Sequence, residues 1–192
     1  MKINNITNKK LLAYIIGVAL GDGNLSNPNK RAVRLRITCD KKYPKLIEHI
    51  QGKIKLLFPE NKVSIVEKGN AVDINCYSNK WEEILGWKAK GGSKIVEKSR
   101  IPNWITKDIE YGKECLRGLL QTDGSIYKDR GYLMVNFTSA SYVIIEDVKT
   151  ILEKIDFHVN LRKVEEGGKI KYVLRISKRT EEFIKIIDLW KS

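Results

Sequence analysis

The sequence predicts a duplicated unit of mixed helix and strand, each half reading helix, two or so strands, helix, two strands, helix. Three observations carry this. Ile15-Ile16-Gly17-Val18-Ala19-Leu20-Gly21-Asp22-Gly23 is answered by Leu116-Arg117-Gly118-Leu119-Leu120-Gln121-Thr122-Asp123-Gly124 at an offset of 101 residues. Arg36-Ile37-Thr38-Cys39 is answered by Asn136-Phe137-Thr138-Ser139 at an offset of 100, and Tyr77-Ser78-Asn79-Lys80 by Ile176-Ser177-Lys178 with the lysines 98 apart. Apolar residues also switch between helical spacing and alternation at matching places in both halves. A period of this length excludes a solenoid.

The elements come in order. Residues 10–20 are apolar on nearly all sides, which marks a buried helix, and Gly21-Asp22-Gly23 ends it. Residues 32–38 alternate, with Val33, Leu35 and Ile37 on one face and Arg34, Arg36 and Thr38 on the other, which predicts a strand with a basic outer face. A helix over 45–58 precedes a hairpin of 63–67 and 71–77 turning at Lys68-Gly69-Asn70, and Trp81 opens a short helix to Leu85. The second half repeats this with a helix over 110–122, a strand over 132–138, a helix over 143–155, a hairpin of 159–165 and 169–177 around Gly167-Gly168, and a closing helix over 180–190. Two halves, 1–85 and 110–192, are thus joined by a turn-rich connector over 86–109 that contains Lys90-Gly91-Gly92-Ser93 and Arg100-Ile101-Pro102.

Composition narrows the function. With 192 residues, 42% of them apolar, the chain can bury a real core. The apolar run over 11–20 is about half of the ~20 residues needed to cross a bilayer, and the polar N-terminus has neither a signal core nor a transit pattern. The expectation is a protein that is neither secreted nor in a membrane, residing in a prokaryotic cytoplasm or nucleoid or in an organelle compartment. Cys39, Cys76 and Cys115 form no C-x-x-C pair and read as reduced structural thiols. With only His49 and His158 available, any metal has to sit on oxygen. The net charge of +13 suits a polyanionic partner. Residues 1–100 carry 20 basic and 9 acidic side chains, residues 101–192 carry 16 and 14, so the first half should hold that partner harder.

The two Asp-Gly helix ends carry the chemistry. Gly17 and Gly21 lie one turn apart on one helix face, and Gly118 and Thr122 hold the same places on the other. Small residues at this spacing let two helix backbones approach closely. Under a pseudo-two-fold axis the faces pack together and set Asp22 beside Asp123. Either Asp-Gly alone is an ordinary turn. Both together, at the negative ends of two helix dipoles and repelling one another, call for a cation between them. Oxygen donors without His or Cys point to Mg²⁺.

These segments resemble the paired motifs of the LAGLIDADG homing endonucleases, in the form that carries both on one chain. Arg100-Ile101-Pro102-Asn103-Trp104-Ile105 and Cys115-Leu116-Arg117-Gly118-Leu119-Leu120 add to the likeness, which spans nearly the whole chain. The resemblance implies an α+β fold of two αββαββα units related by a pseudo-two-fold axis, with a central motif-bearing helix pair and two antiparallel sheets forming a saddle on DNA. It implies double-strand cleavage of a long asymmetric duplex DNA site by a monomer. Asp22 and Asp123 become the metal-binding acids, with the carbonyls of Gly21 and Thr122 completing the shell of Mg²⁺, or of Mn²⁺ or Ca²⁺ in the same sites. Lys80 and Lys178 become the strand-end lysines near each scissile phosphate. One departure stands out: where many members place a Gln or a basic residue after the first strand, this chain has Cys39-Asp40 and Ser139-Ala140.

The expected DNA-facing group is Arg34, Arg36 and Thr38; Asp73, Asn75 and Tyr77; Met134 and Asn136; Arg162; and Lys171 and Arg175, on outer strand faces suited to base edges. Lys88, Lys90, Lys94 and Lys98 of the connector suit phosphates. The alternative to a nuclease is a maturase that helps an intron RNA fold, and a third reading is a transcriptional regulator on the same scaffold.

Overall fold

The computed structural model describes residues 9–28, 30–90 and 99–192. Lys94 and Lys98 lie outside them. The first half is α1 (Lys9–Asp22), β1 (Gly23–Ser26), β2 (Arg34–Asp40), α2 (Pro44–Leu57), β3 (Val63–Lys68), β4 (Ala71–Tyr77) and α3 (Trp81–Leu85). A short α4 (Asn103–Thr106) leads into the second half: α5 (Ile109–Asp123), β5 (Gly124–Asp129), β6 (Tyr132–Ser139), α6 (Tyr142–Lys154), β7 (Asn160–Glu166), β8 (Lys169–Ile176) and α7 (Thr180–Ile186). Each half contributes one four-stranded antiparallel sheet, in the orders β1-β2-β4-β3 and β5-β6-β8-β7. The α+β class and the duplication are as the repeat predicts. No helix among the described residues is long and apolar enough to cross a membrane.

The sequence pattern missed β1 and β5. Both helices run directly into a strand, without a loop, and the glycine after each Asp makes that possible. A Cβ on Gly23 would lie 2.5 Å from the Ala19 carbonyl oxygen, and one on Gly124 would lie 2.4 Å from that of Leu120. The closing helix also ends early, at Ile186 rather than 190, and the tail beyond it crosses to the first half.

The core lies between the sheets and a central pair of parallel helices. Almost all of α1 is buried, as its all-round apolar sequence requires. Its contact with α5 is the most extensive between helices and obeys the pseudo-two-fold axis. A Cβ on Gly17 would sit 2.1 Å from the Cys115 carbonyl oxygen, and one on Gly118 would sit 2.4 Å from that of Tyr14. The backbones touch where the small residues lie. At the far end, Lys10 of α1 bonds Glu110 of α5 at 2.8 Å, while the Asp108 side chain caps α5 by accepting from the Glu110 and Tyr111 amides. The connector is anchored by Asp147 of α6, which is buried and accepts from Arg100 at 2.6 Å and from the Ile101 amide at 2.9 Å. Trp81 and Trp87 are buried, and Trp104 and Trp190 pack against the core.

Candidate metal centre and nucleic-acid face

The helix pair brings the two motif ends together reciprocally. A Cβ on Gly21 would meet Thr122 Oγ1 at 2.0 Å and would lie 3.4 Å from the carboxyl carbon of Asp123. Asp123 therefore stands against the residue preceding Asp22. Asp22 in turn shares a pocket of about 180 Å³ with Thr122, the residue preceding Asp123. Both carboxylates sit at the C-terminal poles of parallel helices, where two macrodipoles and two charges add to one negative potential. Thr122 turns its hydroxyl back onto its own helix, donating to the Gly118 and Leu119 carbonyls.

The pocket is also lined by Cys39, Asp40, Lys42, Tyr43, Gln121 and Lys191. Burial, reinforced by the charge of Asp22, pushes the Cys39 thiol up to about 12. Asp40 is held below the usual carboxylate range by the Lys42 amide at 3.0 Å and the Lys42 ammonium at 2.9 Å. Gln121 is fully buried, accepts from the Tyr14 hydroxyl at 2.7 Å and donates to the Trp190 carbonyl at 3.0 Å. No group of three or more His, Cys, Asp or Glu side chains that could hold a metal is present among the described residues.

Lys80 and Lys178 are not brought to this site. In the first sheet Gly23 pairs with Ile37, and Ile37 with Ile74, so the acid end of the sheet is where β2 finishes and β4 begins. Tyr77 pairs with Arg34 at the opposite end, about 10 Å away along the strand, and Lys80 lies beyond it. The same register sets Lys178 beyond Ile176, which pairs with Val135, toward the end of the strand away from Ser139. Equivalent spacing in the two halves makes these lysines look like a catalytic pair, but strand direction puts them at the wrong ends. Among the described residues, the cations that line the pocket are Lys42 and Lys191. Lys42 comes just after the Cys39-Asp40 departure, a signal the sequence offers. Lys191 has none, because the periodicity carries the closing helix up to it and hides the tail.

The candidate nucleic-acid residues fall together on the faces opposite the core. Leu35, Ile37, Val72, Ile74, Val135, Phe137, Leu174 and Ile176 are buried toward the helices, and Arg34, Arg36, Thr38, Asp73, Asn75 and Tyr77, with Met134, Asn136, Arg162, Lys171 and Arg175, occupy the alternate positions. Two rungs correspond across the halves. Arg36 pairs with Asn75, and Asn136 with Arg175, the two residue types exchanged between strands. In both rungs the Arg Nε and the Asn Oδ1 are buried without a hydrogen-bond partner among the described residues. Asp73 and Asn75 are both buried on this face, and Asp73, 4% exposed, accepts from Thr38 at 2.7 Å and from Lys68 at 2.8 Å. Burial pushes its pKa up, but these two bonds together outweigh that and hold it below the ordinary value. Lys88 of the connector pairs with Glu82 at 3.2 Å.

Comparison with known proteins agrees with this architecture. A LAGLIDADG-like domain family matches residues 110–187, and the WhiA LAGLIDADG-like domain family matches residues 11–84. Among solved structures, the homing endonuclease I-DmoI in complex with DNA and Mn superposes with a TM-score of 0.70 at 19% identity, covering 93% of this chain and 96% of that one. Full-length DUF199/WhiA from Thermatoga maritima gives 0.63 at 12% identity, covering 95% of this chain and 56% of that one. The N-terminal LAGLIDADG domain of DUF199/WhiA gives 0.61 at 16% identity, covering 95% and 84%. No curated protein sequence matches the chain. With both halves matched and the motif helices paired at the centre, the chain is a two-motif LAGLIDADG-fold protein.

Proposed function

We propose that this protein is a site-specific DNA endonuclease of the homing type, hydrolysing a phosphodiester bond in each strand of a long asymmetric duplex. It needs a divalent metal held by Asp22 and Asp123, and it works as a monomer because one chain supplies both acids. The observation that carries the reading is the reciprocal approach of the motif ends, Asp123 against Gly21 and Asp22 beside Thr122. Relatives of the same fold add support: I-DmoI structures hold DNA with Mn and DNA with Ca.

The donors fit a hard cation. Two carboxylates and the Gly21 and Thr122 carbonyls are all oxygen. Such a set suits Mg²⁺, with Mn²⁺ or Ca²⁺ as substitutes, and leaves positions for water and phosphate. When bound, the metal supplies charge relief at the phosphate and a more acidic water. The chain's own groups do the rest. The touching helices fix the separation of the two carboxylates, and Asp40, kept ionised by Lys42, can accept a hydrogen bond from a water in the pocket. The Arg36–Asn75 and Asn136–Arg175 rungs offer donors and acceptors to base edges, while the basic excess of the first half attracts phosphates in a salt-dependent way.

A second reading, the same fold without cutting, is favoured by the match of residues 11–84 to the WhiA LAGLIDADG-like domain family, and a binder of that kind would recognise duplex DNA through the same sheet faces. One experiment separates the two. A randomised duplex library is incubated with the protein and Mg²⁺, cut ends are captured by ligation, and bound duplexes are recovered in parallel. We expect one enriched cut site, with Asp22→Asn and Asp123→Asn each losing cleavage of at least one strand while still retarding that duplex in a gel. Selective binding without cut ends would establish the binder instead, and undiminished double-strand cutting by both variants would eliminate the proposed centre.

A further inference from the structure

The tail after α7 places a lysine ammonium on the carbonyl that the proposed centre assigns to the metal. Asp188 turns the chain with a φ of 51°, and three contacts then pin the last residues onto the rest of the molecule. The Trp190 carbonyl accepts from Gln121 at 3.0 Å, the Trp190 ring meets His49 edge-on at 5.2 Å, and the Ser192 carbonyl accepts from the Leu46 amide at 3.0 Å. Lys191 is held between these anchors. Its Nζ donates to the Thr122 carbonyl at 3.0 Å and to the Gly124 carbonyl at 3.2 Å, and lies 5.2 Å from the centre of the Tyr43 ring, on the wall of the pocket that holds Asp22.

This contact settles a local problem. Thr122 is in the last turn of α5, where carbonyls have no partner within the helix, and the potential there is already negative. An ammonium with three donors satisfies two carbonyls and offsets part of that charge. It also conflicts with a divalent ion. A metal on the same Thr122 oxygen would sit one coordination bond from an atom that already holds a full positive charge one hydrogen bond away, and like charges at such separations repel strongly in a partly buried pocket.

We propose that Lys191 is a built-in competitor for the cation site at the end of α5, occupying the Thr122 carbonyl and lowering the affinity of the Asp22–Thr122 side for divalent metal. The inference rests on the metal-dependent nuclease reading and assigns a residue that sets how tightly that centre is loaded. The Asp123 side, with Ser139-Ala140 in the place of Cys39-Asp40, need not share this competitor.

The test is Mn²⁺ binding to the full chain without DNA, followed calorimetrically and by the resonance signal of free Mn²⁺. Lys191→Met and Lys191→Gln both remove the charge, and Gln keeps a donor for the Thr122 carbonyl; each should bind Mn²⁺ about tenfold more tightly. Lys191→Arg, which keeps the charge, should stay near the parent affinity. Trp fluorescence and thermal unfolding check that the tail remains docked, and Lys191→Gln carries the test if Lys191→Met loosens it. Equal affinity in parent and both neutral variants, with Asp22→Asn binding weakly, would overturn the competitor role and leave the nuclease reading standing. Weaker binding in both neutral variants would overturn it too, showing that the ammonium orients the carbonyl for the metal. Absence of Mn²⁺ binding in parent, Lys191→Gln and Asp22→Asn alike would remove the metal centre and both proposals together.

Discussion

The two halves share the rungs nearest the acids, Gly23–Ile37 answered by Gly124–Phe137 and Arg36–Asn75 by Asn136–Arg175, yet their carboxylates sit in different surroundings. Asp22 is half-buried in a walled pocket with Asp40, Lys42 and Lys191, whereas Asp123 is exposed against the Gly21 backbone. The fold is symmetric because duplicated segments make the same local choices. The site is asymmetric because single residues differ where the halves meet: Gly21 against Thr122 and Cys39-Asp40 against Ser139-Ala140, with the second half's tail carrying Lys191 to the Asp22 pocket. Duplication thus supplies two acids and a frame, while divergence at the seam sets what each acid faces.

The largest effect expected is where the halves are most alike. Gly17→Val and Gly118→Val each push a side chain into the partner helix backbone, at Cys115 and Tyr14, with no flexible atom to move aside. Each should cost about 3 kcal/mol or more in chemical denaturation, or prevent folding, and the two costs should agree within about 1 kcal/mol if the axis governs the packing. A large inequality would show that one half carries the interface.

A middle-sized effect sharpens the comparison at the sheets. Arg36→Ala and Arg175→Ala remove the arginine from corresponding rungs. On the selected duplex each should weaken binding by about 1–3 kcal/mol, with relaxed base preference confined to one side of the site, and opposite sides for the two variants. Uniform weakening without a change in preference would assign both arginines to phosphates.

The smallest concerns the crossing tail of the second half. His49, edge-on to both Tyr14 and Trp190, is held below the ordinary histidine value mainly by burial, with Lys53 and Arg117 adding to it. A histidine whose pKa is depressed by folding favours the neutral form, so its contribution is intact above about pH 6.5 and is lost progressively as the pH falls below that. Thermal unfolding from about pH 7.5 to about pH 5.5 should show a modest drop that His49→Phe flattens. A His49→Phe profile that falls as steeply as the parent would place the acid sensitivity elsewhere.

Much of this was legible before any coordinates. The internal repeat, the buried first helix, the hairpin over Lys68-Gly69-Asn70 and the alternating outer faces come from local periodicity, which a chain carries whatever it packs against. The Asp-Gly ends were legible too, because glycine beside the acid ends each helix, and small residues one turn apart permit the close contact that brings the acids together. What periodicity does not encode is which end of a sheet a residue reaches. Lys80 and Lys178 match in spacing, but antiparallel pairing sends them away from the carboxylates, and only the register of β2 with β4 and of β6 with β8 decides that. Lys191 lies 69 residues from the carbonyl it binds. Its position depends on where α7 stops and on a tail docked by Gln121, His49 and Leu46, contacts whose partners are remote in the chain and exist only once both halves have closed on one another.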